Sequence, residues 1–136
     1  MTSLMTDLLE NAHEFTFVQV MRLARRFLDP AGEMGLPEIP WQDRVRVRPE
    51  LSLAFPASDV ARVERNGDNL RVTTTFLALY GASSPLPTFF TEDLMDEASS
   101  DESVCRDFLD IIHQRLYHLC FECWSKYRLL IRVVEE

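Results

Sequence analysis

The segment Asp107–Arg128, DFLDIIHQRLYHLCFECWSKYR, decides more of the fold than any other stretch of this sequence. Its apolar residues recur every three or four positions, which predicts an amphipathic helix. At 100° per residue the main apolar residues fall within an arc of about 100°, and we expect this arc to face the core. The residues in the arc, which extends slightly past the segment, are Phe108, Leu109, Ile112, Leu116, Leu119, Tyr127 and Leu130.

Two histidines and a CxxC pair in the same segment raise the possibility of a metal or redox site. In one continuous helix, His118 points away from Cys120 and Cys123, and His113 lies about two turns before Cys120. These four side chains therefore cannot close on one tetrahedral ion. Only the Cys120/Cys123 pair remains as a partial metal site, and packed, reduced thiols are the favoured interpretation. The candidates for further ligands are Cys105 and His13.

Signatures of other enzyme classes are incomplete. The sequence GASSP around Ser83 has Pro85 where the nucleophile motif G-x-S-x-G requires glycine. His13 lacks the second histidine of H-E-x-x-H, and the four glycines form no phosphate-binding loop. The CxxC pair lies deep within a predicted helix, far from the N-terminal dipole that activates redox thiols. We therefore expect no catalytic residue, no cofactor, no metal and no small-molecule substrate.

The composition is that of one globular domain over residues 1–136, with 46% hydrophobic and 26% charged residues. No apolar run approaches the roughly 20 residues of a membrane span, and the N-terminus resembles no signal peptide, so we expect a cytoplasmic protein. The net charge of −8 disfavours nucleic acid and membrane partners. Nine of the fourteen basic residues lie between Arg22 and Arg71, whereas residues 92–102 hold six acids, which predicts a polarised surface.

The remaining patterns predict an α+β fold in which an N-terminal helix, a small antiparallel meander and a long C-terminal helix pack together. The capping box formed by Thr16 and Gln19 starts a core-facing helix, which Asp29 and Pro30 stop. An irregular connector follows, anchored by Ile39 and Trp41. The predicted regions are a flexible or short helical segment (1–14), a helix (15–28), the β region (44–79), a Pro/aromatic loop with a short helix (80–98) and the long helix (99–132).

Within the β region, alternating residues predict short strands at 44–48 and 51–55. The segment Asn66-Gly67-Asp68-Asn69 predicts a hairpin turn between the strands that follow. A second capping box, Ser99 with Glu102, is expected to start the long helix. At 1.5 Å per residue that helix would exceed the diameter of a small domain, so we expect a kink or a protruding end.

Four segments occur in an order that resembles one family. FTFVQVMRLARRF (15–27) resembles F-x-F-x-Q-x-x-R-L-L, and VRVRPELSLAFPASDV (45–60) resembles a strand pair with an S-x-x-F-P motif. TTFLALYGASSPLP (74–87) resembles F-x-G-L-x-G-x-x-G-x-L-P, and the opening segment resembles D-F-L-D-I-F-N-H-R-x-x-x-L-x-Y-x-x-W-x-K-Y-R. Together they resemble TssG, also called ImpH or VasB, of the bacterial type VI secretion baseplate. Members of that family are longer, so the resemblance implies an N-terminal portion.

The chain departs from the family pattern in two segments. Ala78, Tyr80 and Ser84 stand where the family usually has Gly, Thr and Gly, so we expect a less flexible loop. Ile112, His113 and Gln114 stand where it has Phe, Asn and His.

The resemblance implies a structural role without enzymatic activity. TssG-like proteins form a wedge with two copies of a TssF-like protein, joined to TssK-like and TssE-like proteins beneath the spike and sheath. The loop aromatics and two arginines are the candidate interface residues, namely Arg22, Leu86, Pro87, Phe89, Phe90 and Arg115. The alternatives are a free-standing intracellular protein-binding module and, third, a metal-dependent or thiol enzyme.

Overall fold

The computed structural model of the chain describes residues 2–28 and 40–135. Within these ranges the predicted α+β class is confirmed. The predicted helix stop at Asp29 and Pro30 and the anchor Ile39 lie outside the described residues. The elements in chain order are α1 (Thr2–Glu10), a 3₁₀ turn (Ala12–Glu14), α2 (Phe17–Leu28), α3 (Trp41–Arg44), β1 (Val45–Pro49), β2 (Val60–Asn66), β3 (Asn69–Thr74), α4 (Thr88–Ser99), α5 (Val104–Lys126) and α6 (Leu129–Glu135).

Helix α2 begins where the predicted capping box places its start. The Thr16 N–H donates to Gln19 Oε1 (2.9 Å), and the Gln19 N–H donates to Thr16 Oγ1 (3.3 Å). These two reciprocal bonds satisfy backbone donors that the first helical turn leaves free. The apolar side of α2 is buried in the core, through Phe17, Val20, Met21 and Ala24.

The predicted hairpin is confirmed. Strands β2 and β3 pair in antiparallel fashion, with Asn66 opposite Asn69 at the turn. Gly67 within this turn has a φ of +63°, a conformation that glycine adopts at little cost.

The predicted antiparallel meander is wrong in one strand. β1 lies parallel to β3, with Val45 opposite Leu70 and Pro49 opposite Thr74, so the sheet is mixed with strand order β1-β3-β2. Alternation of apolar and polar residues predicts a strand but carries no information on the direction of its partner. The second predicted strand, 51–55, is a loop; the Glu50 N–H makes a last bond to Thr74 O (2.8 Å) before the chain leaves the sheet.

The core lies between one face of the sheet and helices α1 and α2. Strand residues Val45, Val47, Val63 and Val72 are buried there against the apolar side of α2. Phe17, Phe76 and Tyr117 form a triangle of rings with centroids 5.1–5.8 Å apart, in edge-on or tilted arrangements that aromatic pairs favour. This cluster joins α2 to α5 across the end of the sheet.

The predicted capping box at Ser99 and Glu102 is wrong. Helix α4 continues through Ser99, whose Oγ donates back to Asp96 O (2.7 Å). Asp101 then has a φ of +57°, which ends the helical path, and α5 starts at Val104. The expected break in the long helix is present after Lys126, where α5 ends and α6 follows.

Helix α5 runs along the open edge of β1. The Val47 N–H donates to Gln114 Oε1 (2.7 Å), and Gln114 Nε2 donates to Val45 O (2.7 Å). The side-chain amide thus occupies the position of a neighbouring strand, satisfying backbone groups that an edge strand leaves unpaired. His118 Nε2 lies 3.1 Å from Val45 O and 2.9 Å from Gln114 Nε2.

The predicted core face of α5 is wrong, because the helix turns its other side inward. Phe108 is 64% exposed, Ile112 41%, and Leu116 and Leu119 37% each. Tyr127 and Leu130, beyond the end of α5, are also exposed, and Leu109 is half-buried. The buried side chains are His113, Tyr117, His118 and Phe121. The polar groups on this side of α5 form hydrogen bonds with the backbone N–H and C=O groups at the open edge of β1. An apolar surface would leave those backbone groups unpaired.

Replacing the bridging amide tests this edge contact. We expect Gln114→Met, which keeps the length of the side chain but loses its hydrogen bonds, to lower the free energy of unfolding by about 1–3 kcal/mol. Urea denaturation measures this difference. Glu122→Met, at an exposed position of the same helix, is the matched control and should change stability by less than about 0.5 kcal/mol. Equal stability of the two variants would contradict the proposed role of Gln114.

Candidate interaction surface

The inner side of α5 fixes which residues the helix presents outward. His113 is fully buried and uses both ring nitrogens. Nε2 accepts the Leu79 N–H (2.9 Å), so the ring proton is on Nδ1, which donates to Asp110 Oδ1 (3.2 Å). His113 therefore ties the helix to the segment after β3.

A second group of bonds holds the same segment. The Tyr80 hydroxyl donates to Asp110 Oδ1 (2.6 Å) and accepts from Arg106 Nε (3.2 Å). Arg106 Nη2 also donates to Pro49 O (3.3 Å). Burial, reinforced by the hydrogen bond to Asp110, raises the pKa of Tyr80 well above its usual value. The phenol stays neutral, which suits an anchor and provides no base or nucleophile.

Residues at which the chain departs from the family pattern meet in space here. The rings of Tyr80 and His113 are 5.1 Å apart and edge-on, although the two residues come from different segments. Ser84 Oγ donates to Leu79 O (2.6 Å), one residue before Tyr80. Three of the six departures, Tyr80, Ser84 and His113, therefore lie at the junction of the loop and α5.

The outward side of α5 is an apolar stripe, hereafter the outer face. It consists of Phe108, Ile111, Ile112, Leu116 and Leu119, all of which are exposed. Ile111, at 72% exposure, is the most exposed of the five. The stripe extends over about 17 Å of helix at 1.5 Å per residue. Several exposed large apolar side chains on one side of a helix are typical of a protein–protein interface.

The end of the loop before α4 and the first turn of α4, which holds Phe89 and Phe90, add to this surface. Leu86 and Phe90 line a shallow cleft whose opposite wall includes Cys105 and Leu109 of α5. Phe89 stacks on Phe90 with ring centroids 4.4 Å apart, and both rings are exposed. The predicted loop residues thus adjoin the N-terminal end of the outer face, with exposed Pro87 at the start of α4.

The two predicted arginines occupy different places. Arg115 is exposed on α5, one turn from Ile111, and lies among the residues of the outer face. Arg22 is exposed on α2, outside this surface as defined.

The structure offers no support for metal or thiol chemistry at this surface. Within residues 2–28 and 40–135, no group of three or more histidine, cysteine or acidic side chains could hold a metal ion. The three cysteines are free thiols. Burial raises the pKa of Cys120, and a hydrogen bond to Glu97 raises the pKa of Cys105, which disfavours the reactive thiolate at both.

A mixed α+β fold with an unpartnered apolar helix face is typical of proteins that assemble with other proteins. No helix in the described part of the chain is long and apolar enough to cross a bilayer. A family model described as type VI secretion, TssG, matches residues 11–136, and the chain belongs to this family. TssG is a structural family of the type VI secretion baseplate, machinery on the cytoplasmic side of the bacterial membrane. Curated proteins and solved structures gave no match.

Sequence reasoning placed His113 at the edge of the core but did not identify the anchoring residues Arg106, Asp110 and Gln114. A signal was present, because these polar residues all fall on one side of the helical wheel, opposite the apolar arc. A polar stripe is normally assigned to solvent, and only the structure shows that it faces the edge of β1.

Buried His118 predicts a specific pH dependence of stability. Burial lowers the pKa of His118 below its usual value of 6.5, outweighing the opposing effects of Val45 O, Glu122 and Asp43. The unfolded chain therefore binds a proton at a higher pH than the folded chain. Neutral His118 therefore makes its full contribution to the stability of the fold above about pH 6.5. This contribution is lost as the pH falls through the pKa of His118 in the folded state.

When the pH is lowered from about 7.5 to about 5, we expect the free energy of unfolding to fall less for His118→Gln than for the unmodified chain. Chemical denaturation across this range measures the difference in slope, independently of any constant cost of the substitution. His13→Gln replaces an exposed histidine and should retain the original slope. Parallel slopes for the unmodified chain and His118→Gln would show that His118 does not titrate differently on folding.

Proposed function

We propose that this chain is a structural scaffold subunit of the type VI secretion baseplate wedge and that the outer face of α5 binds a neighbouring subunit. Membership of the TssG family supports a place in the baseplate, and the exposed apolar stripe supports attachment through α5. The proposed role requires neither a cofactor nor enzymatic activity, and we place the protein in the bacterial cytoplasm at the membrane-docked baseplate.

The exposure of the outer face is the main observation behind this proposal. Helix α5 cannot rotate to bury this face within the chain, because hydrogen bonds on its inner side fix its orientation. Turning the helix inward would break the bonds of Gln114 to β1 and of His113 to Leu79. Each buried donor or acceptor left unpaired costs about 1–3 kcal/mol. The apolar stripe is therefore left for another protein, and burying one large apolar side chain contributes about 1.5–3 kcal/mol.

The partners that we propose are two copies of a TssF-like protein, with TssK-like and TssE-like proteins, and through them the spike and sheath. The chain would act as a single domain, the N-terminal portion of a longer TssG-like protein. Contacts would extend from the outer face onto the loop before α4. The contact residues proposed beyond the outer face are Arg22, Leu86, Pro87, Phe89, Phe90 and Arg115.

Co-expression with TssF-like, TssK-like and TssE-like proteins from the same source tests this proposal. We expect the tagged chain to retain the TssF-like protein in a pull-down. Phe108→Asp with Ile112→Asp should weaken retention by roughly tenfold or more, since charges would be buried at the contact. Phe89→Asp with Phe90→Asp should weaken it as well.

The matched control places the same charges on exposed apolar residues elsewhere. Leu53 and Phe55, in the loop before β2, are 39% and 92% exposed. Leu53→Asp with Phe55→Asp should retain the partner, and circular dichroism should show that all variants fold. Equal retention by the α5 variant and this control would refute the outer face as the contact. A folded, monomeric chain that retains none of the three proteins would favour the free-standing binding module.

A further inference from the structure

The face of the sheet opposite the core is dominated by arginine. Val47 and Val72 point into the core, so their strand neighbours point to the other side. Arg46 pairs in register with Arg71, and Arg48 pairs with Thr73. On the far strand, Arg62 lies opposite Thr73 and Glu64 opposite Arg71. The arginine face thus consists of Arg46, Arg48, Arg62, Arg71, Thr73 and Glu64.

The charge of this face contrasts with that of the whole chain. Four arginines and one glutamate give it a formal charge of +3 (4 − 1), on a chain with a net charge of −8. Glu64 lies 3.6 Å from Arg62, and both side chains are more than half exposed. In the described part of the chain, no hydrogen bond or ion pair involves the side chain of Arg46 or Arg71. Most of the positive charge is therefore uncompensated.

The centre of the face holds unused hydrogen-bonding capacity. Arg48 Nε and Thr73 Oγ1 are buried and have no hydrogen-bond partner among the described residues. Thr73 is only 1% exposed, on the central strand, and Arg48 is its register partner. Burial and repulsion from Arg106 and Arg71 lower the pKa of Arg48. Such groups are normally paired, because an unpaired buried polar atom is costly.

We propose that the arginine face binds an acidic segment of a partner protein through its carboxylates. Guanidinium groups pair with carboxylates through two parallel hydrogen bonds, a geometry that an ammonium group does not provide. Paired strands are about 5 Å apart, and alternate residues along a strand are about 6.7 Å apart. The fitting partner therefore carries two or more carboxylates at about this spacing, on a strand or on successive turns of a helix.

Protein carboxylates fit this face better than nucleic acid does. The face spans three strands, about 10 Å across, so it can contact few phosphates of an extended polyanion. The remaining surface carries an excess of negative charge, which repels long polyanions and leaves short-range pairs as the main attraction. A carboxylate, Glu64, already lies within the face beside Arg62.

Fluorescence anisotropy with labelled hexaglutamate at low ionic strength tests the proposal. We expect the intact chain to bind hexaglutamate but not hexaglutamine, the uncharged peptide of the same length. Arg46→Gln with Arg71→Gln should weaken binding by roughly tenfold or more, through loss of two charge-assisted contacts. Both residues are exposed, so the variant should fold normally, which circular dichroism checks.

The control variant Arg25→Gln with Arg26→Gln removes the same charge from α2 and should change the affinity by less than about twofold. Equal weakening by both variants would overturn the proposal in favour of non-specific attraction. The absence of hexaglutamate binding, or tighter binding of a short DNA duplex than of hexaglutamate, would also overturn it. None of these outcomes depends on the outer face of α5, so this proposal and the scaffold proposal fail independently.

Discussion

The pairing of α5 with the open edge of β1 determines how the rest of the structure is arranged. One side-chain amide, that of Gln114, accepts from the backbone of Val47 and donates to that of Val45. This pairing covers the edge strand β1 with a helix, which also protects that edge from association with another sheet. Because the bonding groups lie on one side of α5, the same contact sets the rotation of the helix about its axis. The outer face is exposed as a direct consequence.

A comparison of energies explains why the polar side of α5, and not its apolar side, faces the sheet. Net hydrogen bonds contribute about 1 kcal/mol each, whereas a buried leucine or phenylalanine contributes about 1.5–3 kcal/mol, so area alone favours the opposite rotation. The inner side compensates with Tyr117 and Phe121, which are buried among aromatic rings of α2 and α3. It also avoids leaving backbone groups of β1 unpaired. Under the proposed function, a second protein that covers the outer face would bury the apolar side of α5 as well.

Local signals predicted two parts of the fold whose bonds are local, although the capping box predicted at Ser99 and Glu102 does not form. The capping box of Thr16 and Gln19 and the turn around Gly67 are each complete within four residues, and both were predicted correctly. The parallel direction of β1 and the rotation of α5 depend on residues far apart in the sequence, such as Gln114 and Val47. A helical wheel identifies the apolar side of a helix but cannot distinguish a core from an interface. The candidate contact residues Leu86, Phe89 and Phe90 rest on a pattern of the same kind, apolar side chains in a Pro-rich segment, and they remain a prediction.

Basic and acidic residues, which cluster in different parts of the sequence, also lie on different elements of the fold. The acidic residues of α4 follow Phe89 and Phe90 in the same helix, whereas arginines of β1 and β3 lie on the arginine face of the sheet. The apolar outer face of α5 and the arginine face of the sheet differ in chemistry, so the two proposed sites would select for different partners. Apolar contacts provide most of the affinity in such an assembly, and charge pairs provide most of the discrimination between partners. A subunit with both kinds of surface can therefore hold two different neighbours in fixed orientations, which is the physical requirement for a scaffold.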